Sequence, residues 1–218
     1  MILSVLVSAA LATTPAPVVP MQVLNAPAFV GTSEPIPDDV WAQMQGVSWK
    51  PGCPVGGREN LRLLRLSHHK PDGSVGQGEL VVAASVAATI VDVFEDLYQA
   101  RFPIERMQRV DAYGGSDNAS MRANNTSALN CRNVAGTSRW SQHSYGLAID
   151  LNPLWNPWVR GSKVDPKEGA AWADRSNHRP GMTQPGGPAV KAFTSRGWGW
   201  GGVWSSTKDY QHFSESGK

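Results

Sequence analysis

Residues 141–150 read SQHSYGLAID and combine a histidine, a glycine and an aspartate around a short apolar run. Gly146 allows the backbone to turn after His143, and a short apolar strand follows over residues 147–151. Side chains alternate between the two faces of a strand, so Asp150 should lie on the face opposite to its two apolar neighbours. Asp150 can therefore point into a cleft near His143 while the apolar residues pack in the core.

A second segment near the C-terminus, residues 209–213, reads DYQHF and adds another imidazole and another carboxylate. On a regular strand, residues three apart face opposite sides, so Asp209 and His212 could not both reach one site. The sequence therefore predicts that Asp209 lies in the turn before the strand, or that the strand is bulged.

Together the two segments offer the donors that a catalytic zinc site needs. Such a site uses three nitrogen or oxygen ligands from the protein and keeps a fourth position open for water. One carboxylate would remain for acid–base chemistry, and the spacing favours Asp209 for that role. Each segment alone also suits a structural role, since His143 could be a core histidine bonded to backbone and Asp150 a loop cap.

The two segments resemble the D-alanyl-D-alanine carboxypeptidase (VanY-like) family of zinc peptidases, which is related to L-alanyl-D-glutamate endolysins. The family pattern Ser-x-His-x-x-Gly-x-Ala-x-Asp is met in full by residues 141–150, and acid-x-x-His is met by residues 209–212. The stretch MRANNTSALNCR at 121–132 and the WGWGG run at 198–202 are also similar to one branch of the family. The resemblance extends over roughly residues 80–213.

The resemblance implies one zinc ion per chain and a set of ligands. In this chain the ligands would be His143, Asp150 and His212, and Asp209 would be the catalytic acid or base. Many members carry Glu where this chain has Asp209, so the carboxylate here is one methylene shorter and must approach the substrate more closely.

Relatives also use an arginine to hold the peptide carbonyl or carboxylate of the substrate. Their Tyr-Arg-Ser context is absent here, because Tyr113 is followed by two glycines. Arg132 is the first candidate for this role and Arg122 the second, although either could be an ordinary surface or structural arginine. Ser141 and Gln142 are expected to orient the metal ligands or the substrate.

Outside the motifs the sequence predicts an α+β fold with a small, mostly antiparallel sheet flanked by helices. The resemblance implies the zinc peptidase fold shared by D-Ala-D-Ala carboxypeptidases and the Hedgehog signalling domain. The polar histidines His68, His69 and His178 are expected at the surface. The predicted elements are a hairpin of 61–66 and 80–82 around a turn at 70–73, helices over 83–101 and 188–195, a strand near 107–113 and two short final strands.

The beginning of the chain predicts export. Residues 1–20 read as a probable signal peptide and linker, with an apolar run that is too short to span a membrane. Residues 21–79 are expected to form an extended arm with short strands, and residues 80–218 the zinc peptidase core. Cys53 and Cys131 could form one disulfide in an exported protein, or remain buried thiols in a cytosolic one.

Charge and composition limit the choice of partner. The 218-residue chain has a net charge of +2, which is too mild to indicate a nucleic-acid binder but is compatible with an anionic wall polymer. We expect a secreted or wall-associated monomer that hydrolyses peptidoglycan stem peptides, most directly as a D-Ala-D-Ala carboxypeptidase. The alternatives are an L-Ala-D-Glu or other wall endopeptidase, a non-catalytic zinc-containing wall-binding module, and a structural protein without a metal.

Overall fold

A computed structural model describes residues 27–218, so the predicted signal peptide and linker lie outside the described residues. Strands outnumber helices along this range, and most of the strands are short. The strands are β1 Gly31–Pro35, β2 Leu61–His69, β3 Val75–Ala83, β4 Arg106–Met107, β5 Asn125–Thr126, β6 Ala148–Asp150, β7 Trp158–Arg160, β8 Lys163–Asp165, β9 Gly199–Trp200, β10 Lys208–Asp209 and β11 His212–Ser214. The α-helices are α1 Asp38–Met44, α2 Ala87–Gln99, α3 Asp117–Arg122 and α4 Pro188–Thr194.

The longest element is the antiparallel β2–β3 hairpin, which runs in continuous register from the pair Leu61–Ala83 to the pair His69–Val75. β1 pairs antiparallel with the other edge of β2 and completes a three-stranded sheet. This confirms the predicted hairpin. β3 crosses residue 80, the boundary between the predicted arm and the predicted core.

Alternation along β2 explains why so many of its leucines are buried. Leu61 and Leu63 point to one face and pack with α1, whereas Leu64 and Leu66 point to the other face and pack with α2. All four side chains are fully buried. The sheet therefore separates two apolar clusters, and the larger one extends towards the C-terminal half of the chain.

The predicted helices are confirmed, with shorter bounds. In α2 the buried residues Ile90, Val93, Phe94 and Leu97 recur at three- and four-residue spacing, which directs one face into the larger cluster. A 3₁₀ turn over Ala84–Val86 precedes the helix. α4 packs against α2 and contributes side chains from Ala189 to Phe193 to the same cluster.

The C-terminal half is built from small sheets. β6, β11 and β9 form one antiparallel sheet in the order β6-β11-β9, and β10, β7 and β8 form another in the order β10-β7-β8. Only β4 and β5 pair in parallel among the described strands. The mixed helix and sheet content with small, mostly antiparallel sheets confirms the predicted fold class.

Two local predictions are wrong. The strand expected near 107–113 ends after Met107, and a 3₁₀ turn over Val110–Tyr113 replaces the rest of it. That turn ends at Gly114, which has a left-handed backbone, so the chain curls instead of extending.

The second error concerns the two histidines at the end of β2. His68 and His69 are buried, at 4% and 5% exposure, because the chain packs over the hairpin from other elements. The His69 ring stacks on Tyr98 of α2 with 4.4 Å between centroids. His178 is exposed, as expected.

Backbone hydrogen bonds and a disulfide attach the N-terminal part of the described chain to its C-terminal half. The backbone amide of Leu129 donates to Val81, and that of Ala83 donates to Gly146, each over 3.0 Å. A disulfide joins Cys53 to Cys131, which resolves the pairing that the sequence left open. No helix in the described range is long and apolar enough to span a membrane.

Candidate metal centre and catalytic cleft

The first motif folds into a tight turn that presents His143. Ser141 caps a 3₁₀ turn over Gln142–Tyr145, and its hydroxyl accepts a hydrogen bond from the His143 amide at 3.3 Å. The chain then reverses at Gly146, whose φ is +67°. A Cβ at this position would lie 2.6 Å from the Ala83 nitrogen, so both the backbone conformation and the close approach require glycine.

The His143 ring is oriented from behind by backbone. Its Nδ1 lies 2.6 Å from the carbonyl oxygen of Ala128 and donates a hydrogen bond to it. This fixes the tautomer, so Nε2 is left as the free lone-pair atom that faces the site. Ser141 therefore contacts His143 through the amide of that residue, and Gln142 lies in the cleft wall; their orienting role stays a prediction.

Asp150 and His212 meet across a sheet. They are direct partners in the β6–β11 register, and Asp150 Oδ1 lies 3.1 Å from His212 Nδ1. The other carboxylate oxygen, Oδ2, lies 3.1 Å from His143 Nε2. All three side chains are buried, and one donor atom from each lies within 4.8 Å of the others.

These residues fit a zinc ion. Two imidazole nitrogens and one carboxylate form a donor set that catalytic zinc sites use. The buried Nε2 of His143 makes no well-directed hydrogen bond, although it is close to Asp150, so this lone pair is available to a metal. The far nitrogen of His212, Nε2, lies 3.3 Å from the main-chain oxygen of Lys218, which gives the second ring the same kind of backbone support.

Charge within the group is balanced by close pairing. Burial alone would raise the pKa of Asp150, but the close approach of the His143 and His212 imidazoles holds that pKa well below its usual range. Burial alone would lower the pKa of His212, but the hydrogen bond and the charge of Asp150 raise it. A buried carboxylate that stays ionised is the form that binds a divalent cation.

Asp209 reaches the same cleft from a different sheet. It ends β10 and pairs with Trp158 of β7, the chain turns over Tyr210 and Gln211, and β11 then begins at His212. Asp209 is therefore neither in a preceding turn nor on a bulged strand. A break between two strands that belong to separate sheets brings both side chains to one place.

One oxygen of the Asp209 carboxylate is shielded from water. The residue retains some exposure, but its Oδ1 is buried and has no hydrogen-bond partner among the described residues. Burial raises the pKa of Asp209 to about 7, with the nearby His212 charge opposing the rise and the Asp150 charge adding to it. A carboxyl group with a pKa near neutral can both accept and return a proton.

The break between β10 and β11 is held by contacts from Trp200 and from the segment 152–188, which includes β7 and β8. The Tyr210 carbonyl accepts hydrogen bonds from Thr183 Oγ1 at 2.7 Å and from Trp200 Nε1 at 2.9 Å. The guanidinium of Arg175 lies 4.4 Å from the Tyr210 ring centroid and also binds backbone oxygens of the segment. The long excursion after the first motif therefore fixes the position of the second.

A cleft of about 1090 Å³ opens over the group. Its lining includes the four residues of the predicted metal and acid–base set, together with Ser141 and Gln142. Trp140, Trp158 and Trp204 add aromatic surface to its walls. The cleft is large enough to hold a peptide several residues long.

The predicted arginines take different positions. Arg132 lines the cleft, but its guanidinium is paired with Asp117 at 2.8 Å and its Nε is buried without a partner. Arg122 is exposed at the end of α3 and lies outside the cleft lining. The substrate-holding role of Arg132 remains a prediction, and the geometry gives no support to Arg122.

Sequence reasoning missed several residues of the cleft wall. Arg139 and Arg160 line it, and neither guanidinium forms an ion pair with a described residue. Gln211 lines it as well, although it is 3% exposed as a residue. The position of Gln211 inside the acid-x-x-His motif was the available signal, whereas the two arginines lie in loops without a distinguishing pattern.

A buried group of two imidazoles and one carboxylate, with a second carboxylate beside it at the base of a cleft, defines the class as a candidate mononuclear metallohydrolase. Residues 135–215 match the family model described as D-alanyl-D-alanine carboxypeptidase. The predicted resemblance to this peptidase family is thereby confirmed over the segment that contains both motifs. No curated protein and no solved structure matches the chain.

Proposed function

We propose that the protein is a zinc-dependent peptidase that hydrolyses peptidoglycan stem peptides and removes the terminal D-Ala of a D-Ala-D-Ala end. The observation that carries the proposal is the buried group of His143, Asp150 and His212 with Asp209 in the same cleft. The match of residues 135–215 to a carboxypeptidase family supports the choice of reaction and substrate.

The chemistry divides between the metal and the chain. Zinc held by His143, Asp150 and His212 would supply a Lewis acid that lowers the pKa of water and polarises a peptide carbonyl. Asp209 takes a proton from the attacking water at its carboxylate and returns that proton to the nitrogen of the leaving amine. The C–N bond breaks, and the new C–O bond makes the carboxylate of the shortened peptide.

Arginines of the cleft wall suit a substrate that ends in a carboxylate. Arg139 and Arg160 present guanidinium groups without an ion-pair partner among the described residues, and Arg132 stands beside Asp117. A guanidinium binds a carboxylate with two parallel hydrogen bonds, which fixes the end of the peptide. Arg132 remains our candidate for holding the scissile carbonyl or the terminal carboxylate.

The site of action would be outside the cytoplasm. The Cys53–Cys131 disulfide is consistent with secretion, because such bonds persist in oxidising compartments. A family of cell-wall peptidases also suggests extracytoplasmic action. We expect a monomer whose partner is the wall peptide, with no role for nucleic acid or for a stable membrane span.

The decisive experiment combines metal analysis with turnover of a defined muropentapeptide, with the products identified by mass. About one zinc ion per chain and release of a single D-Ala would support the proposal. Zinc with an internal cut would replace the carboxypeptidase by a wall endopeptidase. Zinc without cleavage would contradict the enzyme and favour a non-catalytic wall-binding module, and a protein that binds no zinc would refute the metal site.

A further inference from the structure

We propose that Gln211 contacts the substrate, its side-chain amide oxygen accepting a hydrogen bond from the N–H of the scissile peptide bond. This inference rests on the proposed peptidase function and deepens it, because it names the group that distinguishes a peptide from an ester. The residue lies in the turn between the acid and the histidine of the second motif.

The backbone of this turn is fixed on both sides. The Gln211 carbonyl accepts a hydrogen bond from the Leu151 amide at 3.0 Å, directly after Asp150. The preceding carbonyl, that of Tyr210, is held by Trp200 and Thr183. Because the residue is also 97% buried, its side chain has little freedom to leave the cleft wall that it lines.

The position of the Gln211 side chain places it near the proposed acid–base group. Gln211 and Asp209 line the same cleft and are two residues apart in the chain. A substrate that reaches Asp209 therefore comes close to Gln211.

The amide oxygen has no donor. Gln211 Oε1 is buried and has no hydrogen-bond partner among the described residues. A buried acceptor without a donor is unfavourable and uncommon, and such atoms in a cleft are candidates for contact with a ligand. A substrate N–H would complete the hydrogen bonding of this side chain.

The scissile nitrogen is the donor that the mechanism brings closest. Asp209 must deliver a proton to that nitrogen as the C–N bond breaks, so the nitrogen has to come within reach of Asp209 and of the Gln211 side chain in the same cleft wall. In an ester an oxygen replaces the N–H, and its lone pairs face the Gln211 oxygen without a hydrogen between them. Gln211 should therefore favour peptides over the matched esters.

The test compares two substrates and two forms of the full-length, zinc-loaded protein. The substrates are a D-Ala-D-Ala-ended peptide and the matched ester with oxygen in place of the scissile N–H. The variant Gln211→Met keeps the approximate length and volume of the side chain but removes both the oxygen and the NH2 of the amide. We expect its kcat/KM for the peptide to fall about tenfold or more further than its kcat/KM for the ester.

The ratio of the two losses separates a substrate contact from a structural role, because the intrinsic reactivity of the ester cancels. Equal losses on both substrates, or no loss on either, would overturn the proposal. Gln184→Met, at an exposed position, is the matched control and should leave the ratio unchanged. Zinc content and melting temperature are measured alongside, and Gln211→Asn, which withdraws the amide by one methylene, should show the same selective loss if the methionine variant does not fold.

A third variant tests the acceptor itself. Gln211→Glu keeps an acceptor oxygen but loses the amide N–H, so the wild-type preference for the peptide over the ester should persist. If the preference disappears in this variant, the acceptor role is wrong. If the unaltered protein cleaves neither substrate, the proposed peptidase function fails, which is distinct from any result of the variants.

Discussion

The β2–β3 hairpin and the β6–β11–β9 sheet hold their residues in place by opposite means. The hairpin has nine consecutive cross-strand pairs and buries leucines on both faces. The sheet around the candidate metal centre has strands of two or three residues, and it buries Asp150 and His212 in their direct register. Hydrogen bonds and ion pairs hold these two polar side chains, while Ile149, Phe213 and Trp200 of the same sheet pack in the larger apolar cluster.

The hairpin therefore contributes mainly to the stability of the fold, whereas the small sheet carries the candidate chemical groups. Burying one leucine side chain contributes about 1.5–3 kcal/mol, so the four leucines of β2 are a large stabilising term. A buried carboxylate or imidazole costs free energy unless it is paired, so the cleft depends on the rest of the fold for support. The support arrives through Leu129 and Gly146, which bond to β3.

Removal of either imidazole from the centre should have the largest effect. In His143→Ala or His212→Ala one of three ligands is lost, so we expect zinc to fall from about one ion per chain to near zero. Peptidase activity should fall to background, while the cooperative unfolding that the hairpin supports persists. Metal analysis, product mass spectra and thermal unfolding measure the three properties.

The matched control is His178→Ala, because His178 is exposed in segment 152–188. That variant should keep both zinc and activity. A His143 or His212 variant that retains stoichiometric zinc would exclude that residue from the ligand set, and loss of all folded structure would contradict the separation of the two regions.

Removal of the acid–base group should affect chemistry alone. Asp209→Asn keeps the size of the side chain and leaves the three ligands in place, so zinc content should stay at about one ion per chain. Turnover should fall by about 10²–10⁴-fold, since the neutral amide cannot accept the proton. Glu215→Gln changes an exposed acid shortly after β11 and should leave kcat unchanged. Activity of Asp209→Asn within tenfold of the wild type would refute its role.

The sequence predicted elements whose determinants are local. The hairpin followed from alternating leucines around a Lys-Pro-Asp-Gly turn, and α2 followed from its three- and four-residue spacing. The strand of Asp150 followed from a short apolar run after a glycine. In each case neighbouring residues carry the whole signal, because hydrogen bonding and burial are periodic within one element.

The features that the sequence did not predict depend on partners far along the chain. His69 is buried where Tyr98 of α2 stacks on it and Pro103 pairs with its backbone, and its neighbour His68 is buried as well. The break between Asp209 and His212 arises because β10 pairs with β7 and β11 pairs with β6. No local pattern distinguishes these pairings from a single bulged strand.

The contact between the two regions can be tested at one glycine. Gly146→Ala combines a left-handed backbone with a Cβ that would lie 2.6 Å from the Ala83 nitrogen, so β3 and the first motif must move apart. We expect a loss of about 2–4 kcal/mol in the free energy of unfolding, measured by urea denaturation.

The control for this glycine separates strain from crowding. Gly136 also has a positive φ, of +73°, but a Cβ there would meet nothing within 4 Å. Gly136→Ala should therefore cost only about 1–2 kcal/mol for the backbone conformation. Equal losses for the two variants would mean that the contact with Ala83 contributes nothing to the coupling of the hairpin and the cleft.

The smallest expected effect is a pH dependence of stability within the hairpin itself. Burial lowers the pKa of His68, the neighbouring Lys70 and His69 charges add to the lowering, and a backbone contact at Leu66 opposes it. The unfolded chain, with an ordinary histidine pKa of about 6.5, then binds the proton more readily than the folded chain. Protonation therefore favours unfolding, so this contribution to stability is present above about pH 6.5 and is lost as the pH falls below it.

The test measures the free energy of unfolding at pH 7 and at pH 5 in the presence of a chelator, so that zinc release cannot contribute. Between these two pH values, His68→Phe should lose less stability than the wild type does. The difference between the two proteins should be smaller than the loss expected for Gly146→Ala. His178→Phe, at an exposed position, should follow the wild type. If His68→Phe and the wild type lose stability in parallel, His68 is not the group that makes the apolar region sensitive to acid.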